Sequence, residues 1–234
     1  MLNTRAERLR GPARAGRPVL QLVKPLSAVH PDFDRWPDMD ETGIRSIDAA
    51  AAIGLDPFKS PVRLWMEKTG RHDLLQPTEV PNDGLSYWGR LLEPIVAAHY
   101  TLRTGRKVRR VGDTLRHPSH PWMLCTPGRE VIETSDVQFL ECLSVGRNAA
   151  HLWDKGIPMH VRIRALHQLA VTGQHAIDVV VLICGQDLQV HRVERDEAEI
   201  ERLIDNELAF WRCVECDRAP PVNETARGDA SSTT

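Results

Sequence analysis

The sequence places an isolated carboxylate inside an apolar strand pattern. Glu141 lies in Val137–Leu143, a segment rich in Val, Phe and Leu. Strand side chains alternate between the two faces, so Phe139, Glu141 and Leu143 share one face. A carboxylate between two large apolar side chains is costly to bury unless it is paired. The pattern therefore predicts that Glu141 meets a metal ion, a cationic side chain or the end of a helix.

A second glutamate lies beside a proline in a helical pattern. Apolar residues recur at helical spacing across Leu85–Arg103. Pro94 interrupts this pattern, so we expect the helix to kink or to begin there. Glu93 immediately precedes the proline. Taken alone, it is typical of a solvent-exposed helix residue next to a kink.

The composition limits the class of protein. The chain has 234 residues and a net charge of −2, which allows a sizeable core and gives no overall basic field for nucleic acid. Its five cysteines lack regular spacing, and no secretory signal is recognisable, so we expect free thiols in a reducing cytoplasm. Cys213 and Cys216 form a single CxxC, which favours ordinary helix positions over zinc. No run of about 18 apolar residues predicts a membrane span.

Local signals divide the chain into three segments. We expect residues 1–42 to be a disordered basic tail, either solvated or in contact with phosphates, and residues 218–234 to be a disordered polar tail. The folded domain is expected over residues 43–217. Ser60-Pro61 and Asp196 with Glu199 are its strongest helix starts.

The periodicity predicts a mixed sheet with helices on both faces, an α/β or α+β fold. Helices are predicted over Ile47–Ile53, 61–68, Leu85–Arg103, Asn148–Lys155, Pro158–Thr172 and about 197–216. Strands are predicted over Val108–Arg116, Met123–Cys125, Glu130–Ile132, Val137–Leu143, Ala176–Cys184 and Leu188–Val193.

Six segments resemble, in the same order, the blocks of the YqaJ-type viral recombinase domain, the lambda-exonuclease-like branch of the PD-(D/E)xK nucleases. They are IDAAAAIGLDPFKSPVRLWMEKTG, YWGRLLEPIVAAHYTLRTG, HPSHPWMLCTPG, FLECLS, GIPMHVRIRALHQLAVTG and VERDEAEIERLIDNELAFW. The resemblance extends from Gly43 to Pro221. It implies a PD-(D/E)xK, restriction-endonuclease-like core with a central mixed sheet flanked by helices.

This resemblance implies a Mg²⁺-dependent exodeoxyribonuclease that digests duplex DNA ends for recombination in a bacterial or phage-infected cytoplasm. Family chemistry uses a helix Glu, an Asp at a hairpin, a Glu two residues before a Lys, and a Gln on a later helix. The carboxylates hold cations that polarise the phosphate and activate water, and the lysine offsets transition-state charge. The resemblance also allows a single-strand-annealing recombinase as partner and a ring-shaped homo-oligomer around DNA.

Only part of the family's catalytic set is present. Glu93, in GRLLEP, matches the helix Glu, and Glu141 matches the first residue of E-x-K, so both are candidate catalytic and metal-binding residues. The Asp position holds Pro127, the Lys position Leu143 and the helix Gln position Arg164. Single electrostatic donors are commonly worth about 10²–10³ in rate. We therefore expect severely impaired catalysis, with Mg²⁺ bound weakly or not at all.

Candidate DNA contacts come from the same region. Ser46 can replace the hydroxyl of a family Ser-acid pair that aligns with Ile47-Asp48. Arg164 can alternatively pair with Glu141 in place of a metal ion. The arginines form either a phosphate-facing groove or an ordinary solvated face: Arg129, Arg147, Arg162 and Arg164.

Three functions remain open from the sequence. The first is a nuclease with residual or relocated catalysis, in which Glu130, Asp136 or Lys155 would replace the missing groups. Of these, Asp136 is roughly 16 Å along an extended strand from Glu141, which is too far for the two carboxylates to share an ion. The second is a non-catalytic protein that binds DNA ends or a recombinase partner. The third is the product of a decaying prophage gene. The residues favour the second slightly over the first.

Overall fold

The protein is described here by a computed structural model, which covers residues 43–75 and 85–221. The predicted tail over residues 1–42 and most of the predicted tail over residues 218–234 lie outside the described residues. The helices are α1 Ala49–Ala52, α2 Pro61–Lys68, α3 Leu85–Thr104, α4 Arg147–Ala150, α5 Met159–Thr172 and α6 Glu197–Glu215. The strands are β1 Ile44–Arg45, β2 Lys107–Arg110, β3 Leu115–Arg116, β4 Met123–Cys125, β5 Arg129–Ile132, β6 Phe139–Val145, β7 Ala176–Ile183 and β8 Asp187–Glu194.

The main sheet has five strands in the order β2-β5-β6-β7-β8. β6 and β7 are parallel, whereas the other neighbours are antiparallel. A smaller sheet has the order β1-β4-β3, with β1 parallel to β4. The predicted mixed sheet flanked by helices is therefore confirmed.

Two apolar clusters lie on opposite faces of β6. The first joins β6 to α1, α2, α5 and α6, and takes Phe139 and Leu143 from the strand. The second joins β6 to α3 and takes Leu140 and Cys142. The predicted alternation along β6 is thus confirmed, and Glu141 lies on the face that packs against α5.

Local capping chemistry sets several helix ends where the sequence predicts them. The Ser60 side chain accepts a hydrogen bond from the Arg63 amide at the start of α2, with Pro61 in the first turn. The Asp196 carboxylate accepts a hydrogen bond of 2.9 Å from the Glu199 amide at the start of α6. Both contacts satisfy amides that have no partner inside the helix.

Longer-range packing changes other elements. The single strand predicted over Val108–Arg116 is divided between β2 and β3, which belong to different sheets. The intervening residues include Gly112-Asp113, a pair that favours a turn. Met123–Cys125 and the run resuming at Glu130 likewise belong to different sheets, because β4 pairs with β1 and β3 while β5 pairs with β2 and β6.

One predicted helix is confirmed with its alternative start excluded, and another differs from the prediction. α3 begins at Leu85 and continues through Pro94, so the alternative that it begins at the proline is wrong. Burial of its sheet-facing side chains in the second cluster offsets the roughly 3 kcal/mol that an internal proline costs. The helix predicted over Asn148–Lys155 is the short α4 followed by a 3₁₀ turn at His151–Trp153.

The cysteines agree with the expectation of free thiols. All five are unpaired by disulfides. Cys213 lies inside α6, where its Sγ donates to the Ala209 carbonyl oxygen, and Cys216 is the C-cap of that helix. Within the described ranges, the helices lack the combination of length and apolar character needed to cross a membrane.

Candidate functional site

Glu141 is held by two side chains of α5. It is 7% exposed and accepts a hydrogen bond of 2.9 Å from Gln168 Nε2 on one carboxylate oxygen. The Arg164 guanidinium forms an ion pair with the other oxygen. Positions 164 and 168 are one turn apart, so both side chains lie on the same face of α5. The expected contact between Arg164 and Glu141 is therefore confirmed.

Glu93 is held by a different arginine. Arg129 on β5 donates from Nε to one Glu93 oxygen at 2.5 Å and from its terminal nitrogen to the other at 2.9 Å. This is a bidentate pair, the strongest geometry for guanidinium and carboxylate. It raises the pKa of Arg129, mainly through the hydrogen bonds to Glu93. Arg110 contributes a weaker contact, 4.0 Å from the same carboxylate.

The two glutamates belong to separate ion pairs. The apolar neighbours of Glu93 on α3 pack into the second cluster, whereas Glu141 shares its strand face with Phe139 and Leu143 of the first. No hydrogen bond or ion pair among the described residues joins the two carboxylates or gives them a common partner. The prediction that they approach within about 4–7 Å, as oxygens bridged by one Mg²⁺ would, stays a prediction.

Two thiols lie close to these carboxylates. Burial raises the pKa of Cys142, and the charges of Glu93 and Glu141 raise it further. Burial and Glu141 raise the pKa of Cys125 to about 12. Both thiols therefore remain protonated at neutral pH, which excludes them as thiolate nucleophiles.

The remaining family positions hold apolar residues in packed surroundings. Pro127 is buried between β4 and β5. Leu143 is partly buried and packs against the first cluster, on the same strand face as Glu141. A side chain at position 143 thus points toward Glu141 and α5, but leucine offers no charge or donor there.

The other candidate residues are buried, paired with a different side chain, or exposed at the surface. Ser46 is buried, at 7% exposure. Arg162 donates two hydrogen bonds, of 3.1 and 2.7 Å, to one oxygen of Glu199 on α6. Arg147 and Lys155 are exposed. Arg164 thus contacts Glu141, whereas Arg162 contacts Glu199, which is not one of the two candidate glutamates.

The two acidic replacement groups pair with arginines as well. Glu130 lies 2.5 Å from Arg109 across the β2–β5 pair. Asp136 binds Arg106 at 2.7 Å and Arg192 at 3.1 Å. The pKa of Asp136 is lowered, most of all by the hydrogen bond from the Thr134 hydroxyl and further by these two arginines. Neither carboxylate is ion-paired with a partner of Glu93 or Glu141 within the described residues.

Two features of the site were missed from the sequence. Gln168 provides the amide that binds Glu141, although the resemblance placed the helix glutamine position at Arg164. Helical spacing from Arg164 is the signal that could have found it. The second is the pairing of Arg129 with Glu93. These residues are 36 positions apart in the chain, and no sequence pattern connects them.

The side chains present do not fit a Mg²⁺ site. All four carboxylate oxygens of Glu93 and Glu141 accept from arginine or glutamine, and an oxygen-seeking cation would have to displace these donors. In the described part of the chain, no group of three or more His, Cys, Asp or Glu side chains is arranged to hold a metal ion.

Comparison with known proteins assigns the family. The model of the YqaJ-like viral recombinase domain matches residues 35–175. The uncharacterized protein YqaJ of Bacillus subtilis (strain 168) is 32% identical over 181 residues, which are 76% of this chain and 55% of that protein. The chain belongs to the YqaJ-like viral recombinase family. It spans about half the length of this relative.

Solved structures show the same fold. An alkaline exonuclease (LHK-Exo) from Laribacter hongkongensis matches with a TM-score of 0.61 and 21% identity, over 75% of this chain and 89% of that one. The complex of LHK-Exo with dAMP matches equally well, at 22% identity. A phage-related exonuclease from Haemophilus somnus matches with a TM-score of 0.55 and 8% identity, over 74% and 94% of the two chains. The YqaJ-like chain thus has the fold of these exonucleases.

Proposed function

We propose that this YqaJ-like protein binds the ends of duplex DNA and that metal-dependent hydrolysis at its site is severely impaired. The observation that carries this proposal is the pairing of both glutamates with arginines. Glu93 is bound by Arg129 and Glu141 by Arg164, so positive side chains stand where an exonuclease of this family would gather cations. A guanidinium neutralises a carboxylate but cannot deprotonate water in the way that a bound metal can.

Duplex DNA is the ligand that the family and the fold support. The structural relatives are named as exonucleases, and one is named in complex with dAMP, a mononucleotide. The arginines near the site keep donors for phosphate oxygens, because each carboxylate contact uses only part of a guanidinium with five N–H groups. Arg162 and Arg164 have side chains about one third exposed, at 30% each.

We assign phosphate contacts to Arg129, Arg162 and Arg164; the predicted contact between Ser46 and the DNA end has little surface to use, because Ser46 is only 7% exposed. Each phosphate contact adds about 0.9 to the slope of log affinity against log salt. Arg162→Gln with Arg164→Gln should therefore lower the affinity for duplex DNA and reduce that slope by about 2. Arg109→Gln, which removes an exposed arginine bound to Glu130, is the matched control and should change both quantities less.

The catalytic half of the proposal is tested by restoring the missing groups. The wild-type protein, given linear duplex DNA with Mg²⁺ or Mn²⁺, should digest little or none of it. The combined change Pro127→Asp, Leu143→Lys and Arg164→Gln should raise digestion measurably, because Leu143 already points to the face that carries Glu141. Adding Glu141→Ala should abolish the gain, whereas adding Glu130→Ala should not.

Binding and cleavage must be measured on the same DNA substrates. Blunt and recessed ends should bind more tightly than a duplex whose ends are closed by hairpins. Robust metal-dependent cleavage by the wild type, lost on Glu93→Ala or Glu141→Ala, would show that catalysis is intact. Equal affinity for open and closed ends would remove the proposed end recognition.

A further inference from the structure

A cavity of about 200 Å³ lies between the end of α1, helix α5 and helix α6. Its apolar lining includes buried side chains at Ile163, Leu166 and Leu203, each at most 5% exposed. It also includes Leu55, at 52% exposure, and Met159, at 59%. The cavity therefore has an apolar floor inside the protein and an apolar rim that is open to solvent.

The cavity lies on the side of α5 away from Glu141. Leu166 lines the cavity and is two positions from both Arg164 and Gln168, the residues that bind Glu141. Two positions correspond to about 200° around a helix with 3.6 residues per turn. The side chains that hold Glu141 and those that line the cavity thus project from opposite faces of one helix.

The polar part of the lining leaves one positive charge without a partner. Arg162 and Glu199 pair at 2.7 Å, so their charges offset each other. Arg202 also lines the cavity and is exposed. Within the described ranges its guanidinium makes no hydrogen bond or ion pair, because Asn206 contacts only the Arg202 carbonyl oxygen, at 2.8 Å. Arg202 is therefore free to bind an anion at the cavity.

The size of the cavity suits one side chain rather than a whole small molecule. Sites that enclose small molecules commonly have volumes of about 300–1,000 Å³, whereas an apolar cavity of about 150 Å³ accommodates a single benzene ring. A volume of about 200 Å³ thus suits the side chain of one phenylalanine, leucine or isoleucine. The last residue of a protein chain joins such a side chain to a carboxylate, and guanidinium binds carboxylate in bidentate geometry.

The charges around Arg202 limit which chain end fits. Glu201 and Asp205 are exposed on the same helix, within one turn of Arg202. A doubly charged phosphate or a run of acidic residues would meet these two carboxylates, and like charges oppose association. A single terminal carboxylate is the anion that fits, and a basic residue just before the apolar one gains Glu201 or Asp205 as a partner.

We propose that this cavity binds the C-terminal residue of a partner protein, with an apolar side chain on the floor and the terminal carboxylate on Arg202. Capture of a chain end by a few donors beside a pocket is a recurring mode of peptide recognition. The inference goes beyond the proposed DNA function and does not depend on it, because Arg202, and not Arg162, supplies the charge.

Methionine methyl groups provide a direct measurement of binding on the full chain. The sequence has five methionines, so isotope labelling of their methyl groups gives a simple NMR spectrum, in which Met159→Leu identifies the Met159 signal. The probe is the peptide acetyl-Gly-Lys-Phe with a free carboxylate. It should shift the Met159 signal with a Kd on the order of 0.1–1 mM, as for a single anchoring residue. The signal of Met123, which is fully buried outside the cavity, should not move.

Matched peptides separate the two halves of the contact. The same peptide with a C-terminal amide loses the charge that Arg202 binds, and the peptide with alanine in place of phenylalanine loses the apolar side chain. Each should bind about tenfold or more weakly. Acetyl-Gly-Asp-Phe should also bind more weakly than the lysine peptide, because its aspartate meets Glu201 and Asp205.

A pair of protein variants tests the arginine. Arg202→Gln should weaken binding of acetyl-Gly-Lys-Phe by about tenfold or more, whereas Arg212→Gln, at another exposed position of α6, should leave it unchanged. Undiminished binding of the amide, of the alanine peptide or to the Arg202→Gln protein would overturn the proposal. So would a Met159 signal that no peptide moves, or tighter binding of the aspartate peptide. Free phenylpropionate that binds as tightly as the peptide would mark a small-molecule site instead and would also overturn it.

Discussion

A fully buried ion pair links α5 to α6 and to strand β4. His167 and Glu207 both have side chains with no exposed surface. His167 Nδ1 lies 2.8 and 3.0 Å from the two Glu207 oxygens, and its Nε2 lies 3.0 Å from the Leu124 carbonyl oxygen. Both ring nitrogens face acceptors, so both must carry a proton. His167 is therefore an imidazolium in the core, adjacent in sequence to the Gln168 that binds Glu141.

We predict that Glu207→Gln lowers the free energy of unfolding by about 3–5 kcal/mol near pH 6, the range found when one partner of a buried ion pair is removed. The substitution keeps the shape of the side chain but leaves the imidazolium without its counter-charge. Since neither side chain is exposed, water cannot screen the loss. Histidine can limit the cost by releasing its proton, which favours the lower end of this range.

The pH dependence has a defined sign. Burial acts to lower the pKa of His167, but the Glu207 charge and hydrogen bonds outweigh it, and the pKa is raised above the ordinary 6.5. A raised pKa in the folded state means that the pair stabilises the protein fully below about 6.5 and less as the pH rises through the folded-state value. The difference between wild type and Glu207→Gln should thus be largest near pH 6 and should shrink at alkaline pH.

Urea unfolding from mildly acidic to alkaline pH, followed by circular dichroism, measures this difference. Glu201→Gln is the control, because Glu201 is an exposed residue of the same helix. It should change the free energy of unfolding by no more than about 0.5 kcal/mol. A loss below about 1 kcal/mol for Glu207→Gln, or a loss independent of pH, would refute the charged pair.

Two further substitutions test the other buried contacts. Arg164→Gln should strengthen Mg²⁺ or Mn²⁺ binding in calorimetry by about tenfold or more, because an adjacent positive charge no longer competes for Glu141. The control, Arg162→Gln, removes the partner of Glu199 instead and should leave metal affinity unchanged. Unchanged affinity in both variants would count against replacement of the metal by arginine. Tyr100→Phe should cost about 1–3 kcal/mol in urea unfolding, because the fully buried Tyr100 hydroxyl donates at 2.7 Å to Asp178, a carboxylate only 2% exposed. A cost near zero would mean that Arg192 and Arg106, which also contact Asp178, satisfy the carboxylate without the tyrosine.

Short-range features were predictable because the residues that produce them are neighbours in the chain. The Ser60 and Asp196 caps bind amides three residues away. The face shared by Phe139, Glu141 and Leu143 follows from the two-residue repeat of a strand. The six segments that resemble the family sufficed to identify it, since they keep their order even where individual catalytic residues have changed.

Partners could not be assigned with the same certainty, because they come together only when separate elements pack. The family alignment pointed to Arg164 as a partner for Glu141, yet it did not reveal Gln168, 27 residues from that glutamate, or Arg129 as the partner of Glu93. His167 and Glu207 are 40 residues apart and meet only because α5 packs against α6.

The division of strands between two sheets is also a property of the packed structure. Strand propensity describes how well a segment suits an extended backbone, but pairing depends on which edges become neighbours. β4 and β5 are separated by only three residues, Thr126–Gly128, yet they pair with different partners. Whether a carboxylate faces a metal ion or an arginine is settled in the same way, because charges interact across space and not along the chain.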